Sequence, residues 1–438
     1  MRRRLAGFLA ILVFGSSVRA ADGPNFLAEV SRAVVCAALA DCRDRPEIVN
    51  DNINGTHVTG NGQSHTEVSV EFVPCDHRAM LELVLAGTAR TRTIGVNGGV
   101  RVSTNGTTQF AGRKRIATDG ERFECFPATV RVRQDTELTG VGTRFAGPLD
   151  RLVSGVAARV YYREQDDNNR EAAQITERQV TEEFEREATR QVSAGERSFR
   201  EQKADLRRRG LWPQELRICT TVDELKIRGR MTGIACGDWP VPPAVVGRPD
   251  VAVRVHESLF NNAAAKHYGG RTVTGDELDR DFTTVLGPQI PGGGRLDPAD
   301  KEEFSVTFAP APLEAAFTGR QVRAVVHTRG FTTEDRQITD PFDIRVAYDL
   351  GRSPVGLTVV RRELEVLPAD VAAGKRRMSL RENSLAKLLS KRFLKLLPER
   401  EEVVIADLPG TLKKLGRLLP TQADAADGWL AVAWRRAP

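Results

Sequence analysis

A change in hydrophobic period near residue 147 constrains the fold of this chain more than any other feature. Residues 52 to 145 alternate apolar and polar side chains, as in the run Val68, Val70 and Phe72, which is typical of half-buried strands. Dipeptides that favour tight turns separate the runs: Asn97-Gly98, Asn105-Gly106 and Asp119-Gly120. This stretch therefore predicts an antiparallel β-meander.

From residue 147 to 209 the apolar residues recur at helical spacing instead. They form a single narrow stripe: Leu149, Leu152, Val153, Val156, Val160, Val180, Phe184, Ala188, Val192, Phe199 and Leu206. The pattern predicts one very long helix or two consecutive ones, ended by Gly210 and Pro213. A helix with one apolar stripe and a polar back is expected to lie across a sheet or to pair with another helix.

The rest of the chain repeats this order of strands followed by a helix. The patterns predict a short helix at 24–42, strands at 214–236, short helices at 257–268 and 275–286, strands at 303–367, a helix that starts at the capping box Ser379–Glu382, and a final strand from Trp429 to Trp434. The fold class is therefore α+β, with two halves of antiparallel β-meander, each packed on a long amphipathic helix.

The two halves have a candidate boundary and a weak internal similarity. Residues 237–250 are rich in Pro and Gly, which divides the chain into a domain at 21–236, a linker at 237–250 and a domain at 251–438. Residues 67–92 can be aligned with 303–329. A duplication would explain this, and so would two unrelated segments in which strands precede a helix.

The first twenty residues have the layout of a cleavable signal peptide. Arg2, Arg3 and Arg4 precede an apolar run that is too short to span a bilayer, and small residues lead to Ala20. We therefore expect cleavage near Ala20 and a location outside the cytoplasm, either secreted or in the periplasm and cell envelope. An uncleaved N-terminal anchor is the alternative.

Removal of that segment weakens any argument from net charge. The full chain has a net charge of +6, and the first twenty residues hold four arginines and no acidic residue, which leaves a mature chain near +2. Nucleic-acid binding needs a concentrated basic surface. We therefore expect no nucleic-acid partner.

An even number of cysteines in an exported chain favours disulfides. We expect sequential pairing, with Cys36 bonded to Cys42, Cys75 to Cys125 and Cys219 to Cys236. Free buried thiols are the alternative.

The usual signatures of catalysis and metal binding are missing from the sequence. There is no GxxxxGK[ST] phosphate loop, no GxSxG elbow and no GxGxxG after a strand. His256-Glu257 starts an incomplete HExxH, whose fifth position is Phe260. We therefore expect no cofactor and name no catalytic or metal-binding residue, although residues distant in sequence can still converge on a site.

The predicted helix after Ser379 carries many basic side chains. Lys387, Lys391 and Lys395 form a row at i,i+4 spacing, opposite the leucine face. A basic amphipathic helix can lie on an anionic membrane surface, so these lysines are candidates for peripheral membrane contact. An ordinary core-packing helix with a solvated basic back is the alternative.

Two resemblances extend these predictions. The run VPCDHRAMLELVLAGTARTRTIGVNGGVRVSTNGTTQFAGRKRI and the segment VRVHESLFNNAAAKHYGGRTVTGDELDRDF resemble exported proteins of unknown function from Planctomycetes-type bacteria, which implies export. The two strand-plus-helix halves and the final DGWLAVAW strand resemble the tubular lipid-binding superfamily that includes bactericidal permeability-increasing protein. That resemblance implies an apolar groove that binds acyl chains.

Three functions remain open on the sequence. The first is a non-catalytic exported protein that binds a lipid or another apolar molecule. The second is a structural or protein-interaction scaffold with a packed core. The third is a hydrolase whose site is assembled from dispersed residues.

Overall fold

The structure is a computed structural model that describes residues 24–144, 148–208, 212–231, 241–278, 280, 304–333, 336–354, 356–397, 399–403 and 415–437. The predicted signal peptide at 1–20, Cys236 and most of the predicted helix at 275–286 lie outside the described residues.

The described elements alternate long strands with few helices. The helices are α1 (Arg32–Leu39), α2 (Pro148–Arg208), α3 (Glu257–Tyr268), α4 (Ala369–Ala372) and α5 (Leu380–Leu396). The strands are β1 (Phe26–Ser31), β2 (Asp41–Ile53), β3 (Thr56–Phe72), β4 (Ala79–Asn97), β5 (Val100–Thr118), β6 (Phe123–Cys125), β7 (Thr129–Thr143), β8 (Glu215–Thr220), β9 (Glu224–Arg230), β10 (Val251–His256), β11 (Thr272–Thr274), β12 (Phe304–Thr318), β13 (Gln321–Thr333), β14 (Arg336–Ile338), β15 (Phe342–Arg352), β16 (Leu357–Pro368), β17 (Arg400–Val403), β18 (Leu418–Ala426) and β19 (Trp429–Arg436).

The first half is an antiparallel meander of unusually long strands. The order is β2-β3-β4-β5-β6, and β7 pairs with the other part of β5. Strands β4 and β5 have 19 residues each, or roughly 60 Å of extended chain. Turns with positive φ at Asn54-Gly55 and Gly98-Gly99 join β2 to β3 and β4 to β5 at one end of the sheet, which we call the tip.

The meander is covered by a single helix. α2 has 61 residues, which is about 90 Å of helix, so the structure resolves the choice between one helix and two. Its buried residues Phe184, Ala188, Val192 and Phe199 follow the predicted stripe. They lie in the second half of the helix, at the end of the sheet away from the tip, which we call the base.

A six-stranded central sheet lies beside the base. Its order is β18-β19-β10-β1-β9-β8, so strands from both halves of the chain share it. Its core includes Val30, Leu216, Ile218, Leu225 and Ile227. The prediction of a helix over 24–42 was wrong for its first part. Residues Phe26–Ser31 pair with β9 on one side and β10 on the other, because backbone pairing in the middle of a sheet outweighs a short helical pattern.

The second half repeats the scheme with shorter strands. The sheet has the order β11-β12-β13-β15-β16-β17, with β14 paired to β13. Helix α5 begins at the predicted capping box, in which Ser379 and Glu382 hydrogen-bond reciprocally. Leu385 and Leu389 pack into a core with Phe331 and Phe342. The predicted α+β class, with two antiparallel meanders and a long helix, is confirmed.

The proposed boundary at 237–250 stays a prediction. Its described part, residues 241–250, has no regular secondary structure and leads into β10. None of the described helices combines the length and hydropathy needed to cross a membrane.

One turn prediction was wrong in an informative way. Asn105-Gly106 is not a hairpin turn but lies within β5, where Asn105 pairs with Arg92 and Gly106 pairs with Thr91. The glycine leaves room for Thr91 on β4 and Gln134 on β7, whose side chains lie against it.

Two glycines let β3 approach β4 closely. A Cβ atom at Gly62 would lie 2.2 Å from the carbonyl oxygen of Arg90, and one at Gly60 would lie 2.1 Å from that of Arg92. Backbone atoms cannot give way as a flexible side chain can, so these positions exclude every side chain.

We predict that Gly62→Ala destabilises the protein by about 2 kcal/mol or more, because the methyl group forces β3 away from β4. Urea unfolding followed by circular dichroism measures the change. The control is Gly142→Ala on β7, where nothing lies within 4 Å of the added Cβ. Equal unfolding midpoints for the two variants would show that the strands have room to separate.

Candidate functional site: a cavity under the long helix

A cavity of about 710 Å³ lies between α2 and the inner face of the meander. This volume is within the range of small-molecule sites. The helix contributes mainly apolar side chains to its wall: Val153, Val156, Ala157, Val160, Ala172, Ile175, Val180 and Phe184. Strands β3, β4 and β5 contribute a mixture of valine, leucine, phenylalanine, glycine and threonine, and β7 contributes Gln134 and Thr136. Strand β2 contributes mainly charged side chains, together with Ile48, Val49 and Ile53.

Large side chains close the base of the cavity. Phe184 from the helix, Leu85 from β4 and Val130 from β7 are buried together in one cluster. Phe110 packs beside them, over Gly87, where a Cβ would lie 2.2 Å from the ring. The base is therefore dry and filled, and the open space begins beyond it.

A buried ion pair fixes the helix at the base. The ammonium group of Lys114 donates to Glu185, and it also donates to the carbonyl oxygen of Phe126 at 2.8 Å. The backbone N–H of Ala128 donates to the same carboxylate. The Lys114 side chain is only 1% exposed, so its charge depends on these partners.

The pKa of Glu185 is shifted in the direction that this buried ion pair requires. Burial alone would raise this pKa, but the hydrogen bonds from Lys114 and from the Ala128 N–H outweigh burial and hold it below the usual glutamate value. The carboxylate is therefore charged in the folded protein at neutral pH.

Hydrogen bonds to β7 close one long side of the cavity. Tyr161 and Thr136 share a hydrogen bond of 2.9 Å between their hydroxyls, and Thr136 donates to the Asn169 side-chain oxygen at 2.7 Å. Gln165 donates to the Thr136 carbonyl oxygen at 2.5 Å. Burial raises the pKa of Tyr161 above its usual value, so this hydroxyl is a neutral donor.

On the other long side, along β2, the described contacts with the helix are polar ones at the surface. Arg45 pairs with Glu183 at 2.8 Å, and the Gln179 amide donates to Asp51 at 3.3 Å. Near the tip, Asn54 donates to Asn168 at 2.7 Å. Exposed contacts of this kind are weak. This side of the cavity, which we call the slit, is therefore held closed less strongly than the side along β7.

The tip carries exposed apolar side chains on the helix. Leu152 is 67% exposed, Val156 60% and Val160 45%, and the ring of Tyr162 is also exposed. Val156 and Val160 line the cavity as well. The end of the cavity nearest the tip, which we call its mouth, is therefore continuous with an apolar surface.

The predicted membrane-surface lysines lie elsewhere. Lys387 and Lys391 are exposed on α5, whose apolar face is buried in the core of the second half, and the side chain of Lys395 lies outside the described residues. These residues do not approach the cavity. Membrane contact through them stays a prediction.

Among the residues that the structure describes, the predicted pairs Cys36–Cys42 and Cys75–Cys125 are not formed. Cys36, Cys42, Cys75, Cys125 and Cys219 are free thiols. The Cys36 thiol donates to the Val70 carbonyl oxygen at 2.9 Å, whereas Cys42 lies 3.7 Å from His65. These two contacts are five residues apart on β3, or about 16 Å. The partner of Cys219, Cys236, lies outside the described residues, and the oxidised pairs stay a prediction.

Other candidate groups have structural roles. His256 caps the N-terminus of α3, where its ring accepts from the Ser258 N–H, and burial lowers its pKa. Within the described ranges, no group of three or more His, Cys, Asp or Glu residues is placed to hold a metal ion.

The sequence patterns predicted the helix and the meander but not the residues of the sheet that line the cavity. The signal that could have found it is the alternation in β2, where Asp41, Arg43, Arg45, Glu47 and Asp51 share one face and line the cavity. An apolar strand face is the usual choice for an interior. The charged face of β2 therefore indicates that this edge of the cavity is exposed to solvent.

Comparison with known proteins gives no family. No protein-family model matches the chain, and no curated protein matches its sequence. Among solved structures, it is similar in outline to "lipopolysaccharide binding protein", with 10% identity over 94% of this chain and 98% of the other, and a TM-score of 0.30. It is also similar to "P47 of Clostridium botulinum E1", with 8% identity over 95% and 100% and a TM-score of 0.27. At these TM-scores, function must be inferred from this chain's own geometry.

We predict that Glu185→Gln costs on the order of 2 kcal/mol at pH 7, because it leaves Lys114 buried without its counter-charge. The Glu185 pKa is depressed below its unfolded value of about 4.3, so this contribution is fully present above that pH and is lost as the pH falls through the folded value. Urea unfolding at several pH values should show the wild-type advantage shrinking below about pH 4.

The matched control for that experiment is Glu196→Gln, which removes the exposed i,i+4 pair with Arg200 and should change stability by less than about 0.5 kcal/mol. A wild-type advantage over Glu185→Gln that did not depend on pH would contradict the anchoring role of the carboxylate.

Proposed function

We propose that the protein is a non-catalytic binder of a lipid or another apolar molecule, which it holds in the cavity under α2. One observation supports this proposal: a long helix and a long sheet border about 710 Å³ of space whose wall is mainly apolar. Apolar space of this size is favourable for a hydrocarbon ligand, because every Å² of apolar surface removed from water contributes about 25 cal/mol.

The interiors of the two halves are packed differently, and this difference favours a binding protein over a scaffold. In the second half, Leu389, Phe331 and Phe342 are buried together between α5 and the sheet. The open space beside α5 is smaller, about 500 Å³, and polar residues such as Gln337, Asp340 and Ser384 line it. In the first half, the corresponding space is packed only at its base. A scaffold needs a packed core in both halves, whereas a carrier needs one of them open.

The character of the lining favours binding over hydrolysis. Among the described lining residues there is no histidine and no cysteine, and the hydroxyl of Ser64 donates to Glu47 at 2.5 Å. A serine that donates to a surface-strand carboxylate lacks the imidazole base of the common hydrolase arrangements.

The exposed residues at the tip support a second proposed role, contact with an anionic membrane surface. Arg151, Arg159 and Arg163 interleave with Leu152 and Val156 on the exposed face of α2. Such a face inserts its apolar groups between lipids while its arginines attract the anionic headgroups. The mouth of the cavity would then face the bilayer from which an apolar ligand comes. The signal-like N-terminus supports a location outside the cytoplasm.

We predict that Ala172→Phe, which adds a ring to the cavity wall, weakens the binding of diphenylhexatriene by about tenfold or more. Probe fluorescence in titrations of lipid-extracted protein measures the affinity. The control is Gln174→Phe, an exposed position on the same helix outside the lining. Unchanged binding by Ala172→Phe, or no binding by the wild type, would rule out the cavity as the site.

We also predict that the double variant Arg159→Glu/Arg163→Glu loses binding to vesicles of equimolar phosphatidylcholine and phosphatidylglycerol by more than about tenfold, since each basic side chain near such a surface contributes about 1 kcal/mol. Flotation measures the bound fraction. The control is Lys387→Glu/Lys391→Glu on α5. Loss of binding only in the α5 variant would place the membrane contact there instead.

A further inference from the structure

The inner face of the meander changes character twice along its length. Antiparallel pairing brings one inward residue from each strand to the same level, as a rung. Near the base, one rung contains Val68, Leu85 and Val130. Near the tip, another contains Val58, Val102 and Val141. Both rungs are therefore apolar on β3 to β7 and end on β2 in an aspartate, Asp41 near the base and Asp51 near the tip.

The rungs between them form a polar belt, defined by seven side chains: Ser64, Thr91, Thr93, Thr104, Thr108, Gln134 and Thr136. The helix matches this order, because Asn169 lies at the belt, with Ile175 and Val180 towards the base and Val156 and Val160 towards the tip. The central rung, at Gly62 on β3, is six residues from Val68 and four from Val58. These separations are about 20 Å towards the base and about 13 Å towards the tip.

Thr91 and Gln134 flank Gly106 at the centre of the belt, and we call the stretch of cavity wall between their polar atoms the recess. The position that a Cβ would occupy on Gly106 is 2.7 Å from the Thr91 hydroxyl oxygen and 3.1 Å from the Gln134 amide nitrogen, so these two groups take up the space beside the glycine. The Gln134 side-chain oxygen accepts from Thr108, which leaves its nitrogen on the side of the recess. Two groups able to donate hydrogen bonds therefore stand close together on the cavity wall.

The remaining polar atoms of the belt are satisfied within the protein. The hydroxyls of Thr93 and Thr104 are 2.7 Å apart, and Thr136 is held by Tyr161 and Asn169. The recess is therefore the place in the belt where a ligand acceptor gains most from the protein.

The charges along the slit disfavour an anionic ligand. Six carboxylate residues line the cavity: Asp41, Glu47, Asp51, Glu164, Glu183 and Glu187. Its two basic residues, Arg43 and Arg45, are paired with Asp41 at 2.7 Å and with Glu183 at 2.8 Å. A fatty-acid carboxylate or a phosphate would meet negative charge with no free guanidinium in the lining to bind it.

We infer that the ligand is an uncharged lipid with two hydrocarbon arms joined by an ester or amide, whose carbonyl oxygen accepts from Thr91 and Gln134 over Gly106. This inference rests on the proposed function and specifies its ligand class. The carbonyl lies at the belt, one arm extends towards the packed cluster at the base and stops against Phe110 and Phe184, and the other extends towards the tip.

The test compares three probes of equal length: a long-chain wax ester, the alkane and the free fatty acid, each delivered from cyclodextrin and competed against diphenylhexatriene. Each hydrogen bond is worth about three- to tenfold in affinity. We expect the wild type to bind the ester about tenfold or more tightly than the alkane, and to bind the fatty acid no better than the alkane at pH 8.

Two variants test whether the carbonyl oxygen binds at Thr91 and Gly106. Thr91→Val removes a hydroxyl at constant shape, and Gly106→Ala places a methyl group against the Thr91 hydroxyl and the Gln134 amide. Each should lower the ratio of ester affinity to alkane affinity towards one, because each disturbs a donor that only the ester uses. Gly140→Ala on β7, where nothing lies within 4 Å of the added Cβ, is the control.

The outcomes separate this inference from the proposed function. Equal binding of ester and alkane by the wild type, or preference for the fatty acid, overturns the ligand class and leaves the cavity as a binding site. If the wild-type protein binds neither diphenylhexatriene nor any of the three probes, both the inference and the proposed function are overturned.

Discussion

The attachment of α2 to the base of the meander is the interaction on which the rest of the structure depends. Phe184 packs with Leu85 and Val130, and beside them Glu185 neutralises the buried Lys114. From this anchor the helix continues towards the tip with smaller side chains, such as Ala172 and Ala157. Because small residues cannot fill the space that Phe184 fills at the base, the interior becomes hollow.

The second half shows what the same arrangement becomes when large side chains persist. Helix α5 is 17 residues long and places Leu385 and Leu389 against Phe331 and Phe342. The two halves share the central sheet, in which β1 lies between β9 and β10. Packing in the second half stabilises the molecule, and this leaves the first half free to keep an open interior, at a cost in buried apolar area.

Much of the fold could be predicted from period alone. The alternation around Val68 and the stripe through Phe184 are local properties of the chain, and the capping box at Ser379 and Glu382 formed as expected. The residues that define the cavity could not be predicted. Gly106 looked like part of a turn, since Asn-Gly favours hairpins, but its partners on the neighbouring strands place it mid-strand, beside Thr91 and Gln134.

The sequence by itself determined that strands with one buried face come first and that a long one-sided helix follows, because each pattern repeats within a few residues. Only the tertiary structure decided that Phe26–Ser31 would be a central strand, that the helix would leave a cavity beneath it, and that Thr91, Gly106 and Gln134 would meet. These features depend on the register between strands and on the sizes of facing side chains. Both are relations between distant residues that no local period contains.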